Sequence, residues 1–569
     1  MADASSSDPT QTPSPQPNTL VALGLGIGAA LLYAGSLGHG FIAYDDAPFI
    51  LQNPTVTHPA LNLDQLLTPQ MGYPIPVSIG AQALLYQLGQ GQSWPFHLAN
   101  MLLHGLCTAL VFGLGRTVSG HWKLAAAAAA LFALHPLHIE PVCWATGIKD
   151  LLAAALALGA SGLFWRFTPP PNDTHKGQPL ALFGAIALGL LAMFAKPNTV
   201  ALGVGWLVLA AALYINRPKD TPAPKTLKLA LFGAIATVTL GLLIGAFSGQ
   251  SNRDLNFAQY DGTFSLTKLL WVMGRYVANF VWPQTLTPVY PLDDTLWPVA
   301  LGAVAIILLL GAAVASRKRP DVLFWLALAG AVYLPVSNLI PFPRMMADSY
   351  LYLPLALLTV ALTAALAPML SDPSRNMRLA LAGLAAAVGL AWLPMNLAGQ
   401  SRWAEPTLLW EPLVVHQPWW RNGWTLLADQ LFFEGRHKES AGIHTQGFRR
   451  AYDKDGLHQF GVSLALSGQL QHAQCVLTEA VYHGNARATS LESFVALIVT
   501  NPQTPLTHPR HARVLLRTFV NQKLRTQQPL PQAWQQGLGL RYQQTEALKD
   551  PDTPWAPQSC PQLQTTKAP

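Results

Sequence analysis

The chain has 569 residues, 51% of them apolar and only 11% charged, with a formal net charge of +7. Ordinary soluble proteins carry about a quarter charged residues, so a wholly soluble protein is excluded, and repeated apolar runs of about 20 residues indicate a polytopic membrane protein with a smaller polar remainder. The Lys and Arg sit mainly in short loops between those runs, which is a topology signal rather than a nucleic-acid surface.

Residues 1–18 are rich in Ser, Pro, Gln and Thr and read as disordered. The first apolar helix, about 19–38, is too long for a cleaved signal peptide and reads as an anchor. Later runs centre on 96–115, 123–139, 148–166, 180–195, 198–215, 228–247, 297–316, 322–341, 347–369 and 379–396, which predicts eleven spans in a membrane domain over 19–397. Two shorter segments, 75–88 and 266–281, carry Gln, Lys or Arg inside the run and read as helices at the outer interface. With the N-terminus inside, the inner turns hold Arg116, Lys123, Arg166, Lys176, Arg217, Lys219, Lys225, Lys228, Arg317, Lys318, Arg319, Arg375 and Arg378. The outer loops hold most of the carboxylates, among them Asp45, Asp46, Asp64, Glu140, Asp150, Asp254, Asp261, Asp293, Asp294 and Asp348. This satisfies the positive-inside rule and sends the C-terminus outward.

Beyond residue 398 the chain turns soluble in character. Trp424, Leu427, Gly435 and Ser440 are followed 33 positions later by Leu457, Phe460, Gly468 and Ala473. Small residues at that offset let helices pack closely, which predicts a tetratricopeptide-like repeat domain over 398–522. The Pro- and Gln-rich tail, 523–569, reads as unfolded. The expected fold is therefore all-α: a membrane bundle followed by short helical repeats. The four cysteines (Cys107, Cys143, Cys475 and Cys560) supply no disulfide framework.

Ionisable residues at membrane depth are costly and mark function by default. On this topology Asp45 and Asp46 share the outer rim with His97, Asn100, His104, His135, His138, Glu140, Asp150, Asp348 and the cations Lys149, Lys196, Arg275 and Arg344. A carboxylate can take a proton from a hydroxyl while a nearby cation holds a leaving phosphate, so Asp45 and Asp46 are the candidate base and the four cations the candidate phosphate ligands. The vicinal acids could instead cap the next helix, and each cation could snorkel to the interface. His97, Asn100 and His104 recur along one helix face and line the bundle interior; His135, His138 and Glu140 could bind a metal, but a polar lining for a lipid-phosphate head group is preferred. Tyr350 opens the span that starts near 347.

Taken in order, these motifs resemble a known family. They comprise Tyr44, Asp45 and Asp46, with Ile50, Asn53, Pro54 and Val56; Pro76; Pro95, Phe96, His97, Asn100 and His104; Leu131 to Pro136, with Glu140, Val142 and Asp150; Lys196; Leu334 to Leu339; and Tyr350 to Pro354. The series is similar to the transmembrane and tetratricopeptide-repeat-containing O-mannosyltransferases and their bacterial relatives. The resemblance spans roughly residues 20–490. It implies a membrane glycosyltransferase of the C-type superfamily that moves a sugar, with inversion, from a polyprenyl-phosphate donor to a protein hydroxyl on the non-cytoplasmic face. It further implies Asp45 as base with Asp46 as its partner, an acceptor polypeptide presented by the repeats, and no cofactor beyond the lipid-linked substrate. Two positions depart from the family pattern: Ile75 and Ser349 stand where the family carries Arg, which leaves the sugar open between mannose and a similar hexose. An Ala- and Gln-rich composition points to a bacterial inner membrane, with the site and C-terminal domain facing the periplasm. Two further readings stay open: a ligase acting on lipid-linked glycans, and a non-catalytic scaffold for envelope assembly.

Overall fold

The computed structural model describes residues 17–58, 63–70, 73–168, 178–217, 224–252, 264–284, 286–339, 344–370, 374–526, 529, 532–551, 553–556 and 559–564. Residues 1–16 of the expected disordered stretch and the loop residues Lys176, Lys219, Asp254 and Asp261 lie outside them. Among the described residues there are helices and one isolated bridge, Gln70 to Tyr73, and no strand. The chain divides into two compact units, Met1–Phe41 with Asp45–Ala404, and Ile42–Tyr44 with Glu405–Pro569.

The first unit contains α1 (Pro17–Leu32), α2 (Pro76–Leu88), α3 (Trp94–Ser119), α4 (Trp122–Leu134), α5 (Ile148–Phe167), α6 (Pro179–Ala195), α7 (Leu202–Ile215), α8 (Lys225–Asn252), α9 (Leu266–Val281), α10 (Trp297–Ala315), α11 (Pro320–Tyr333), α12 (Tyr352–Leu366) and α13 (Arg375–Ala404). Among the described residues seven helical segments are long and apolar enough to cross a membrane, eight when Trp122–Leu134 and Pro136–Cys143 count as one broken span, which makes this a multi-pass membrane protein. The other three of the eleven expected spans correspond to apolar helices of 17 residues or fewer at Asn18–Leu32, Pro179–Ala195 and Pro320–Val336. Alone, such helices reach about 26 Å, against the ~30 Å of a hydrocarbon core. The two segments assigned to the interface are both helical, as α2 and α9, and neither is among the candidate crossings.

The break in the α4 span positions the polar residues. Pro136 has no N–H to give and restricts the residue before it, so α4 stops at His135, which is extended (φ −64°, ψ 125°). The chain resumes as a short helix, Ile139–Cys143, with the pair bent by 55°. A one-turn segment, Ala145–Gly147, then leads into α5. A Cβ on Gly147 would lie 2.1 Å from the carbonyl oxygen of Pro141. Only glycine lets the turn fold back this closely on the short helix, and the fold-back puts Glu140, Thr146 and Lys149 within one polar region.

The second unit holds α14 (Thr407–His416), α15 (Arg421–Phe433), α16 (His437–Arg450), α17 (Leu457–Leu466), α18 (Leu470–His483), α19 (Arg487–Thr500), α20 (Pro509–Arg525) and α21 (Gln532–Thr545). Its core is apolar, with Phe448, Phe460, Leu464, Val476, Phe494, Ile498 and Leu516 all buried. The 33-residue offset has a structural counterpart. Gly435 and Gly468 end α15 and α17 in the left-handed region, at φ 78° and 83°, and the following N–H bonds back to Leu431 in one case and Leu464 in the other (2.8 and 2.9 Å). Both are glycine C-caps, where a side chain would strain the backbone.

Two sequence expectations are corrected here. The stretch expected to be unfolded carries α21, whose Arg541 is buried and donates to the carbonyls of Ile498, Asn501 and Thr504, each at 2.8 Å. Further on, Trp555, Cys560 and Leu563 are buried, and Cys560 is joined to Cys475 in a disulfide with Cα atoms 5.8 Å apart. Composition registers the poor helix propensity of a Pro- and Gln-rich segment. It cannot register that a few large side chains, spaced to reach a neighbouring helix face, hold the segment down.

Candidate active site

The vicinal acids differ sharply in setting. Asp46 is fully buried, and its carboxylate accepts both the backbone N–H (2.9 Å) and the hydroxyl (2.8 Å) of Thr146. Asp45 keeps a quarter of its side chain exposed and pairs with Lys149 at 3.2 Å. Thr146 was invisible to sequence reasoning, because a lone threonine in a turn carries no pattern. It explains why the two acids cannot share a role: Asp46 fastens the loop, and Asp45 stays within reach of solvent.

Lys149 lies over the Phe49 ring, 3.9 Å from its centroid. The same construction recurs twice. Lys196 pairs with Asp150 and lies over Tyr350 at 5.1 Å; Arg344 pairs with Glu140 at 2.9 Å and lies over Trp144 at 5.3 Å. Each cation is thus held by a carboxylate on one side and by the negative face of an aromatic ring on the other. The pairs communicate, since Asp150 acts electrostatically on both Lys149 and Lys196, and Glu140 acts on Lys196. The result is a row of alternating sign from Asp45 to Arg344.

Tyr73, in the loop before α2, sits in the field of Lys149 and Asp45, with burial pushing its phenol above the ordinary value. Asp348 is buried beside the far end of the row: its N–H donates to Glu140 (3.2 Å) and its carboxylate accepts from the Tyr290 hydroxyl (2.8 Å). Tyr290 in turn accepts from Asn279 at 3.0 Å. Arg344 also donates from Nε to the Pro288 carbonyl at 3.1 Å. Tyr73, Tyr290, Phe49 and Trp144 were not anticipated from the sequence; single aromatics in an apolar chain give no signal until their neighbours are known.

The remaining predicted residues fall into other roles. Asn100 donates to the carbonyls of Val142 and Trp144 (3.3 and 2.7 Å), bracing the fold-back. His104 bonds the Tyr352 hydroxyl (2.8 Å) and the Ala133 carbonyl (3.3 Å), and His97 packs edge-on against His39. His135 accepts the Leu137 N–H (3.1 Å) and bonds the Phe280 carbonyl (3.2 Å). His138 is enclosed by Phe132, Tyr352 and His104 at 4.4, 4.7 and 5.6 Å. His135 and His138 are ring neighbours at 5.9 Å, but Glu140 is engaged by Arg344 and the Asp348 N–H, and no group of three or more His, Cys, Asp or Glu side chains that could hold a metal occurs among the described residues. Arg275 lies between Trp271 and Trp297 at 5.7 and 5.5 Å, in place of the carboxylate-and-ring setting of the other three cations. Beside it Asp293 accepts from the Trp271 indole (3.0 Å) and from Thr295.

No protein-family model matches the chain. It is similar to the protein O-mannosyl-transferase Tmtc2 of Drosophila melanogaster, 36% identical over 183 residues that make up 30% of this chain and 19% of that protein. It is also similar to the protein O-mannosyl-transferase Tmtc1 of the same organism, 35% identical over 142 residues, 23% of this chain and 16% of that protein. The chain thus spans less than a fifth of the length of these curated relatives. Among solved structures, ArnT from Cupriavidus metallidurans bound to undecaprenyl phosphate aligns over 77% of this chain and 82% of its own, at 15% identity and a TM-score of 0.36. A likeness at that level does not bear on the chemistry of this chain.

Proposed function

We propose that this protein is a membrane glycosyltransferase that moves a hexose, mannose or a close analogue, from a polyprenyl-phosphate donor to a hydroxyl of a protein acceptor. The observation that carries the reading is the alternating row: a solvent-reaching carboxylate at one end, continuous with three cations that now hold carboxylates and could hold a phosphate instead. The partial similarity to proteins named O-mannosyl-transferases supports the sugar and the acceptor class.

In the proposed reaction Asp45 takes the acceptor hydroxyl proton as the oxygen attacks C1 of the sugar. The bond from C1 to the phosphate oxygen breaks, the anomeric centre inverts, and polyprenyl phosphate leaves against the charge of Lys149, Lys196 and Arg344. Arg275, held between two tryptophans and in no ion pair among the described residues, is not assigned to this step. The displacement calls for no cofactor, since the lipid-linked sugar is itself the substrate. The second unit, read as tetratricopeptide-like repeats, presents the acceptor. The site and the second unit face the non-cytoplasmic side, the periplasm of a bacterial cell; the basic inner turns and the disulfide of the second unit both support that orientation.

The test is transfer of labelled mannose from polyprenyl phosphate to a Ser/Thr peptide by the purified protein, with release of lipid phosphate measured alongside. Asp45→Asn is expected to lower the rate by about 10²- to 10⁴-fold, the usual contribution of a general base, with membrane insertion unchanged. A wild-type protein that releases no lipid phosphate, or an Asp45→Asn variant as fast as wild type, ends the proposal. Label appearing on a lipid-linked glycan instead of the peptide would identify a ligase.

A further inference from the structure

In a stack of helical pairs each pair ordinarily touches only its neighbours. The C-terminal segment of the second unit breaks that rule by running back across the stack after α21. The Trp555 ring stacks on Tyr482 of α18 (6.2 Å between centroids, 8° between planes) and meets His508 and His511, at the start of α20, edge-on at 4.7 and 5.1 Å. Its indole N–H donates to Glu479, and its carbonyl accepts from His483 Nε2 at 2.9 Å. The turn Pro561–Leu563 packs against α16 and α18, with Leu563 fully buried. Between these two anchors Cys560 is bonded to Cys475 of α18, 85 residues earlier. Together the anchors reach α16, α18 and α20, one helix from each of three successive pairs. Cys107 and Cys143, the other two cysteines, are buried free thiols in the membrane unit and offer no competing partner.

We propose that the bond between Cys475 and Cys560 is an oxidative staple that, with Trp555 as its guard, makes a run of pairwise helix contacts in the second unit into one closed body. The step is thiol–disulfide exchange with a disulfide-bearing oxidoreductase: the two thiols give up two protons and two electrons, the bond between Sγ atoms forms, and the oxidant is left as a dithiol. Such a bond persists on an oxidising side of the membrane and not in the cytosol. Both residues are buried, at 4% and 0% exposure, so the bond is closed to reductant while Trp555 keeps its seat. The proposal needs neither donor nor acceptor sugar, so it stands or falls independently of the transfer reaction.

Full-length protein, taken from membranes and denatured in N-ethylmaleimide without reductant, is digested with trypsin. The expected product is peptide 455–487 linked to peptide 550–567, with maleimide only on Cys107 and Cys143. Recovery of Cys475 and Cys560 as maleimide adducts overturns the proposal. In folded protein, Trp555→Ala is expected to speed reduction of the link by dithiothreitol at least about tenfold, through easier local opening. An unchanged reduction rate would show that the tryptophan does not guard the bond and would overturn that part. Cys475→Ala, should it fold poorly, is replaced by Cys560→Ala, in which trypsin is expected to free peptide 550–567 without reductant; retention of the peptide also counts against the staple.

Discussion

The two units hold their buried cations in different ways. In the membrane unit the cations of the row meet carboxylates, Lys196 with Asp150 and Arg344 with Glu140, each pair backed by an aromatic face, whereas the buried carboxylates of Asp46 and Asp348 accept from neutral groups. In the second unit the buried cation, Arg541, is met by neutral groups instead and donates to three backbone carbonyls. An ion pair can be re-partnered, because a phosphate offers a cation what a carboxylate did. A cation held by backbone carbonyls has no such exchange open to it. On the proposed reaction, the contrast separates cations that exchange partners from a cation that holds shape.

The sharpest way to break this contrast is Arg344→Met. It strands Glu140 in a buried setting and is expected to cost about 3–5 kcal/mol of stability, read as a fall in melting temperature in detergent, together with slower transfer. The double variant Arg344→Met with Glu140→Leu is expected to regain most of that stability but not the transfer rate. If the single variant melts like wild type, the row is not a set of buried pairs. Next in size, Arg541→Met leaves three carbonyls without their donor and is expected to cost about 2–4 kcal/mol, while the transfer rate stays within about twofold; a large rate loss would erase the distinction between the units.

The smallest expected effect is a pH dependence. Burial pushes His444 of α16 down to about 3, so between the ordinary value of ~6.5 and that value the unfolded chain takes up a proton that the folded unit refuses. The contribution of His444 is therefore fully present above the ordinary value and is lost as pH falls, by about 2 kcal/mol by pH 5. Asp429, 3.8 Å from His444 Nε2, is pushed by burial the other way, up to about 7, so its proton uptake in the folded unit opposes this slope over the same window and the histidine's share is read only by difference. Melting temperature followed from pH 7.5 to 5 should fall more steeply in wild type than in His444→Phe; superimposable slopes would remove the histidine from the account.

The sequence carries the membrane elements well because apolar runs of about 20 residues answer to a single constraint, the thickness of the bilayer. It also marked Asp45, Lys149, Asp150, Lys196, Glu140 and Arg344 as costly residues expected on one rim, and the structure brings those six into one row. Only the family resemblance chose Asp45 over Asp46; the residues themselves gave no ground for the choice, which depends on Thr146, 100 residues away from Asp46. Nor could it separate Arg275 from the other cations, since snorkelling and pairing leave the same trace in a sequence. The disulfide was missed for a related reason: two cysteines 85 residues apart give no local pattern.

The proline break in the α4 span bears on how the buried histidines are to be understood. Interrupting a helix inside lipid frees carbonyl oxygens that no water can reach, and something must answer them. His104 answers Ala133, and Asn396 answers Leu134, itself joined to Tyr33 (2.8 Å) and to Gln400 (2.6 Å). These side chains thus belong to the scaffolding that a kinked rod demands. A search for chemistry in this fold that counts every polar atom at membrane depth would mistake the buttress for the tool.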